Sequence, residues 1–214
     1  IAEAIANHFP KSVLEDRLEL AGPGFLNVFL APDWVAESLK GILAAGDTYG
    51  TSGAGRDTRF LLEFVSANPT GPLVIVNARA AAVGDALARI LISQGHGVLR
   101  QFYVNDAGNQ FEALARSVDV RLRQAQGESA QLPENSYPGE YLVDLVADWI
   151  ATDAEGMRAM VKTPEAERVE LLGRKAVATM VAGQRKVLEA YGTRFDSWTH
   201  EQGDVRQAKL ADKA

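Results

Sequence analysis

Cysteine is absent from this chain of 214 residues. That excludes disulfides, thiolate zinc sites, iron–sulfur clusters and cysteine nucleophiles together. Histidine is scarce. His8, His96 and His200 share no metal-ligand spacing, so no metal site is expected. Long apolar runs are missing too: nothing approaches the roughly 20 residues that a membrane-spanning helix needs. No basic segment leads into an apolar one, so no secretory signal is expected, and with the lack of cysteine this fits a cytoplasmic protein. There is no internal repeat and no low-complexity tract. An initiator methionine is also lacking. Ile1 to Ala6 already read as helix interior, which suggests a fragment or an unseen N-terminus.

What remains is an ordinary globular composition, 47% hydrophobic and 23% charged, with enough apolar surface for a core. Lys and Arg total 22 against 28 Asp and Glu, for a net charge of −6. The bulk field of such a chain does not attract nucleic acid, so any RNA contact needs a local basic patch.

Leu18–Leu20 and Phe25–Leu30 read as short strands around Ala21-Gly22-Pro23-Gly24, and Pro32-Asp33 opens a helix with Trp34, Leu39, Ile42 and Leu43 on one side. Gly46 to Arg56 reads as a linker or surface loop. Arg59 to Ser66 is a nearly continuous apolar run that suits a parallel strand buried on both faces. After the loop Asn68-Pro69-Thr70-Gly71-Pro72, a helix is expected from about Asn77 to Gln94, with Val83, Leu87, Ile90 and Leu91 as its core stripe. Gly97 to Val104 is the next strand. Asp106 is placed to cap a helix containing Phe111, Leu114, Ala115 and Val118. Strand, loop, helix, strand, helix is the βαβ pattern of a parallel sheet. Two helices follow the polar stretch Gln124–Gly139. One is marked by Tyr141, Leu142, Leu145, Val146 and Trp149. The other is longer, with Thr163 as cap and Pro164 in the first turn, lined by Leu171, Leu172, Met180, Val181, Val187 and Leu188. Thr193 to Trp198 can begin another strand.

One stretch is more specific. Glu63-Phe-Val-Ser-Ala-Asn-Pro-Thr-Gly-Pro-Leu-Val-Ile-Val-Asn-Ala-Arg79 resembles the opening of the catalytic domain of arginyl-tRNA synthetases. Asn105-Asp106-Ala107-Gly108-Asn109-Gln110 resembles the block that follows it, and Gly22-Pro23-Gly24-Phe25-Leu26-Asn27-Val28 resembles the end of that family's N-terminal domain. Three blocks in order make the resemblance strong. It implies an α/β fold: the first half of a Rossmann-type parallel sheet with a helical insertion at 58–214. Before it, at 1–57, would lie the C-terminal part of a small α+β tRNA-contacting domain. It also implies arginine activation with ATP, accompanied by Mg2+, and transfer to tRNA(Arg).

The resemblance breaks where the family carries His-x-Gly-His. Here those places are Val74, Ile75, Val76 and Asn77. The family's histidines stabilise charge developing on the ATP α-phosphate, and loss of one such donor typically costs about 10²–10³ in rate. Val74 has no side-chain donor, Val76 replaces a glycine that lets adenine approach, and Asn77 carries no charge. The Lys-Met-Ser-Lys-Ser loop is not present either. No catalytic residue is therefore intact, and the chain is expected to be impaired or a fragment. The alternative is a non-catalytic paralogue that binds arginine, tRNA or a protein.

By the same resemblance, Glu63, Ser66 and Asn68 remain as arginine-binding residues, with Asn109 and Gln110 on the rim. On physics alone other roles stand beside these. Glu63 can pair with Arg59 or Arg79, Asn68 can bond its own loop, and Asn77 is a good N-cap. Val74-Ile75-Val76 would then be core packing. His96 is expected in solvent, and His8 and His200 have no assigned role. The cations Arg168, Arg174, Lys175, Arg185 and Lys186, interspersed with Glu165, Glu167 and Glu170, read by default as a solvated helix face, with an RNA-contacting face as the minority reading. Half a Rossmann sheet leaves an uncovered edge, so a homodimer or a larger assembly is expected.

Overall fold

Alternating apolar runs and helices build a parallel sheet in the longer part of the chain. The computed structural model describes residues 1–10 and 15–210 and divides into two units, Ile1–Thr51 and Ser52–Ala214.

The first unit holds α1 (Ala2–His8), an antiparallel hairpin of β1 (Glu15–Ala21) and β2 (Phe25–Leu30), and α2 (Pro32–Ala45) with a 3-10 turn at Gly46–Thr48. Pro32 opens α2, where its fixed φ and missing N–H cost nothing. None of the unit's described residues is buried, and Phe25, Leu39 and Leu43 lie open to solvent.

The second unit runs through β3 (Arg59–Glu63), α3 (Ile75–Ser93), β4 (Gly97–Val104), α4 (Gly108–Ala125), α5 (Tyr141–Thr152), α6 (Ala154–Val161), α7 (Glu165–Ala190) and β5 (Ser197–His200). A π-helical segment, Glu201–Gln207, follows β5. The strand order is β3-β4-β5 and both pairings are parallel, with Glu63 opposite Gln101 and Val104 opposite His200. Ser52 and Gly55 donate their N–H groups to the Ser93 and Gln94 carbonyls, so this end of the glycine-rich stretch packs on the turn before β4.

The core gathers Phe102 and Val104 of β4, Leu114, Val118 and Leu122 of α4, Leu142 and Val146 of α5, and Leu172 and Leu188 of α7. The Phe102 ring stacks on Trp198 at 4.2 Å, and Phe195 bridges Phe64 and Phe102.

Several expectations change here. β3 is an edge strand, not one buried on both faces: Leu61 is 60% exposed. α3 packs through its small residues Ala81, Gly84 and Ala88, while Val83, Leu87 and Ile90 face solvent. The reason is Phe64. A Cβ on Gly84 would stand 2.2 Å from that ring, so the helix approaches as closely as only glycine permits. α6 is an additional helix, capped by Asp153, whose carboxylate accepts the Gly156 N–H at 2.8 Å. In α7 the N-cap position falls on Pro164 rather than Thr163, and Leu171 and Val187 are exposed.

Arg168 is not on a solvated face. It is buried, donates from Nε to Asp119 on α4 at 2.5 Å, and reaches the carbonyls of Val161 and Thr163 at 3.2 and 2.9 Å. A guanidinium is tolerated inside only because its donors meet acceptors.

Candidate functional site

The C-terminal ends of the parallel strands share one edge of the sheet, the place where open α/β sheets bind ligands. β3 stops after Glu63 for a local reason. The Phe64 N–H still reaches the Gln101 carbonyl at 3.3 Å, but the Ser66 N–H then turns back to the Phe64 carbonyl at 2.9 Å. Val65 lies between them at φ 67°. This is the tight γ-turn geometry, and a β-branched residue held there costs about 1–3 kcal/mol. Ser66 follows at φ 35°, and its hydroxyl accepts the Tyr103 N–H at 3.1 Å. A side-chain oxygen thus replaces a backbone carbonyl beside β4 and ends the ladder.

The loop after Ser66 is held from behind. Pro69 is fully buried. Gln184 of α7, itself buried, donates from Nε2 to the carbonyls of Asn68 and Gly71, both at 3.1 Å. Tyr141 of α5 donates its hydroxyl to the Thr70 carbonyl at 2.6 Å, and burial pushes that hydroxyl's pKa up. These two clamps lie 71 or more residues away in sequence.

Against this frame Glu63 and Asn68 are both exposed. Among the described residues no ion pair joins Glu63 to Arg59 or Arg79. Asn68 Oδ1 has a long contact, 3.4 Å, with Asn105 Nδ2 at the end of β4. Asn109 and Gln110 are exposed in the first turn of α4. Glu63, Ser66 and Asn68 therefore cluster at one strand end, and the Asn109–Gln110 pair lies at the next.

Val74, Ile75 and Val76 are 60%, 87% and 62% exposed, so they are not core packing. The loop has turned outward to start α3. Leu73, Val74, Ile75 and Ala78 face Val187, Leu188 and Tyr191 of the α7 end across a cavity of about 270 Å3. Asn77 is not the N-cap either. Val74 holds that position, and Asn77 Oδ1 accepts the Val74 N–H at 2.8 Å from the third helical position. It acts as the reach-back member of a capping box, without a side-chain partner in return.

Asp106 does not cap α4, because Ala107 occupies the N-cap. Its buried carboxylate finds partners at the end of β5, accepting the Gln202 N–H at 2.8 Å and meeting His200 Nδ1 at 2.9 Å. His96 is half-buried rather than in solvent, edge-on to Phe60 at 5.0 Å. At the start of β5, Arg100 holds Asp196 with two side-chain bonds of 3.0 and 2.9 Å, and these hold the Asp196 carboxyl below its usual range. Gln184, Tyr141 and the Asp106–His200 pair had no local sequence signal. Among the described residues, no three His, Asp or Glu side chains could hold a metal ion, and no helix is long and apolar enough to cross a membrane.

The parallel sheet with its loop at the β3 end is that of a class I tRNA synthetase. Residues 38–135 match the family model for the class I (R) tRNA synthetase catalytic domain, and residues 1–30 match that for the arginyl-tRNA synthetase N-terminal domain. An arginine–tRNA ligase of Symbiobacterium thermophilum is 43% identical over 209 residues, covering 97% of this chain and 37% of that protein. One from a Synechococcus strain is 45% identical over 183 residues, covering 86% and 30%. A crystal structure from Campylobacter jejuni, assigned as an arginyl-tRNA synthetase, superposes with a TM-score of 0.71 at 31% identity, covering 85% of this chain and 40% of that one. The chain belongs to the arginyl-tRNA synthetase family. It spans 30–38% of the length of the curated relatives it matches.

Proposed function

We propose that this chain holds the amino-acid side of an arginine-activating site and has lost the nucleotide side. One observation carries the reading. Glu63 presents an exposed carboxylate at the end of β3, outside every ion pair among the described residues, and Asn68 follows on a loop braced by Gln184 and Tyr141. A carboxylate suits the guanidinium or ammonium of arginine through charge-assisted hydrogen bonds. Ser66 accepts from Tyr103 and keeps its own proton to donate. In this reading residues 1–57 end a tRNA-contacting domain and 58–214 begin a catalytic one. The family reaction joins arginine to the AMP moiety of ATP with release of pyrophosphate, then passes the arginyl group to tRNA(Arg) with release of AMP, and Mg2+ would accompany the ATP.

The residues at 74–77 do not fit the nucleotide. Val74 and Val76 offer branched apolar side chains in the open, and Asn77, whose Oδ1 accepts the Val74 N–H, has only an uncharged Nδ2 amide to donate. A non-catalytic paralogue that retains arginine binding is the second reading, favoured by this outward apolar loop. Calorimetry with arginine and with a non-hydrolysable ATP analogue tests both. Arginine binding is expected, weakened at least about tenfold by Glu63→Gln, with no binding of the analogue. Analogue binding together with arginine-dependent pyrophosphate exchange would refute the lost nucleotide side. Absence of arginine binding would refute the whole reading.

A further inference from the structure

The five cations of α7 separate into two groups in the structure. Arg168 is buried against Asp119. Arg174 donates to Glu170 and to the Asp106 carbonyl at 2.9 and 3.1 Å and covers the Phe111 ring. Lys175 lies over Trp149. Like Lys175, Arg185 and Lys186 are exposed and outside every ion pair among the described residues. They border a cavity of about 400 Å3 whose other walls include Ala178, Ala182, Glu189 and His200.

Three features make this more than a charged helix face. Arg185 is held over the Trp198 ring at 4.5 Å, and Trp198 is itself stacked on the buried Phe102. A guanidinium held in this way loses less freedom when it binds a ligand. His200 has its Nδ1 tied to the buried Asp106 at 2.9 Å, which fixes the ring, and among the described residues its Nε2 has no partner. Ala178 and Ala182 keep the floor low enough for a ligand to reach the cations. Glu189 is the one carboxylate among the described lining residues and forms no ion pair with either cation, while Asp106 behind the ring balances an imidazolium at His200.

We propose that this cavity binds a phosphate group, with Arg185 and Lys186 supplying charge and His200, as an imidazolium whose Nδ1–H is given to Asp106, donating a directed hydrogen bond from Nε2. The site lies at β5, the opposite edge strand from the Glu63–Asn68 cluster, and does not depend on the arginine reading. The phosphate has two possible sources, the backbone of a single-stranded nucleic acid or a free phosphate compound.

The test is NMR titration of the 214-residue chain at low salt, with sodium pyrophosphate and, separately, with a short unstructured single-stranded RNA. The His200 ring and Arg185 side-chain signals are expected to shift. Lys186→Gln and Arg185→Gln should each weaken binding about tenfold, while Lys162→Gln on α6's far end has no effect. Among the described residues Lys186 has no ring or acid partner, so its variant tests the site without disturbing Trp198. Response to pyrophosphate alone identifies a free-anion site. Response to RNA, with the salt slope reduced by about one per cation removed, identifies a strand site. No binding of either probe, or binding unchanged by both variants, overturns the proposal.

Discussion

Two halves of the Ser52–Ala214 unit are built from similarly apolar sequence and end differently. Around α4, α5 and α7 the large side chains are inside: Leu114, Leu122, Leu142 and Leu172 have no exposed surface. Around β3 and α3 they are outside: Leu61, Val83 and Ile90 are each at least 60% exposed. In the first half the helices have one another and β4 to pack against. In the second, α3 meets the sheet through alanines and one glycine, and β3 has a partner on one side only. An apolar side chain is buried by a neighbour, and pattern alone does not supply one. The Asn68–Gly71 loop lies at the seam, starting from the open half and braced by Gln184 and Tyr141 of the packed half.

That contrast can be measured. The largest effect is expected at the packed half's ion pair. Asp119→Ala leaves the Arg168 guanidinium buried without its carboxylate and should lower stability by about 3–5 kcal/mol in chemical denaturation. A similar loss from the exposed positions of α3 would break the contrast. Next is the one tight point of the open half. Gly84→Ala drives a methyl into the Phe64 ring, and overpacking of that kind costs about 1–3 kcal/mol. On the proposed arginine-binding reading, arginine affinity should fall too, because Phe64 adjoins the turn that presents Ser66.

A smaller effect should appear in acid. Arg100 lowers the Asp196 pKa, so the folded state binds this proton less readily than the unfolded chain does. The stabilisation is complete above the ordinary carboxylate value of about 4 and is lost as pH falls through the lower folded value. Arg100→Gln should flatten that acid limb of the stability profile. The effect is modest because the two side chains are 23% and 35% exposed. The smallest change is expected for Val83→Lys or Ile90→Lys, within about 0.5 kcal/mol, as for other surface substitutions. A marked loss in thermal denaturation would show that this face is covered in solution.

Much of the path of the chain was legible before the structure. The hairpin around Gly22–Gly24, the strand at Gly97–Val104 and the long helix lined by Leu172, Met180, Val181 and Leu188 all follow from local signals, namely turn residues, alternation and helical periodicity. α6 was missed because its eight residues are too short for a periodic stripe. The caps at Asp106 and Asn77 were misread because both side chains have alternatives that local pattern does not show. Asp106 reaches a histidine 94 residues away, and Asn77 reaches back three. The candidate site was legible as a set of residues, Glu63, Ser66 and Asn68, and not as an arrangement.

By itself the sequence determined the family, through three ordered blocks, and the chemistry available at the strand end: a carboxylate, a hydroxyl and an amide, with valines where charge-stabilising donors would stand. Only the tertiary structure decided which groups are free to act. It buried Arg168 and left Arg185 and Lys186 open beside His200. It turned Val74–Val76 outward and drew the Asn68 loop onto Gln184. The physical reason is that burial and hydrogen bonding are settled by partners distant in the chain, and a buried polar group must find one.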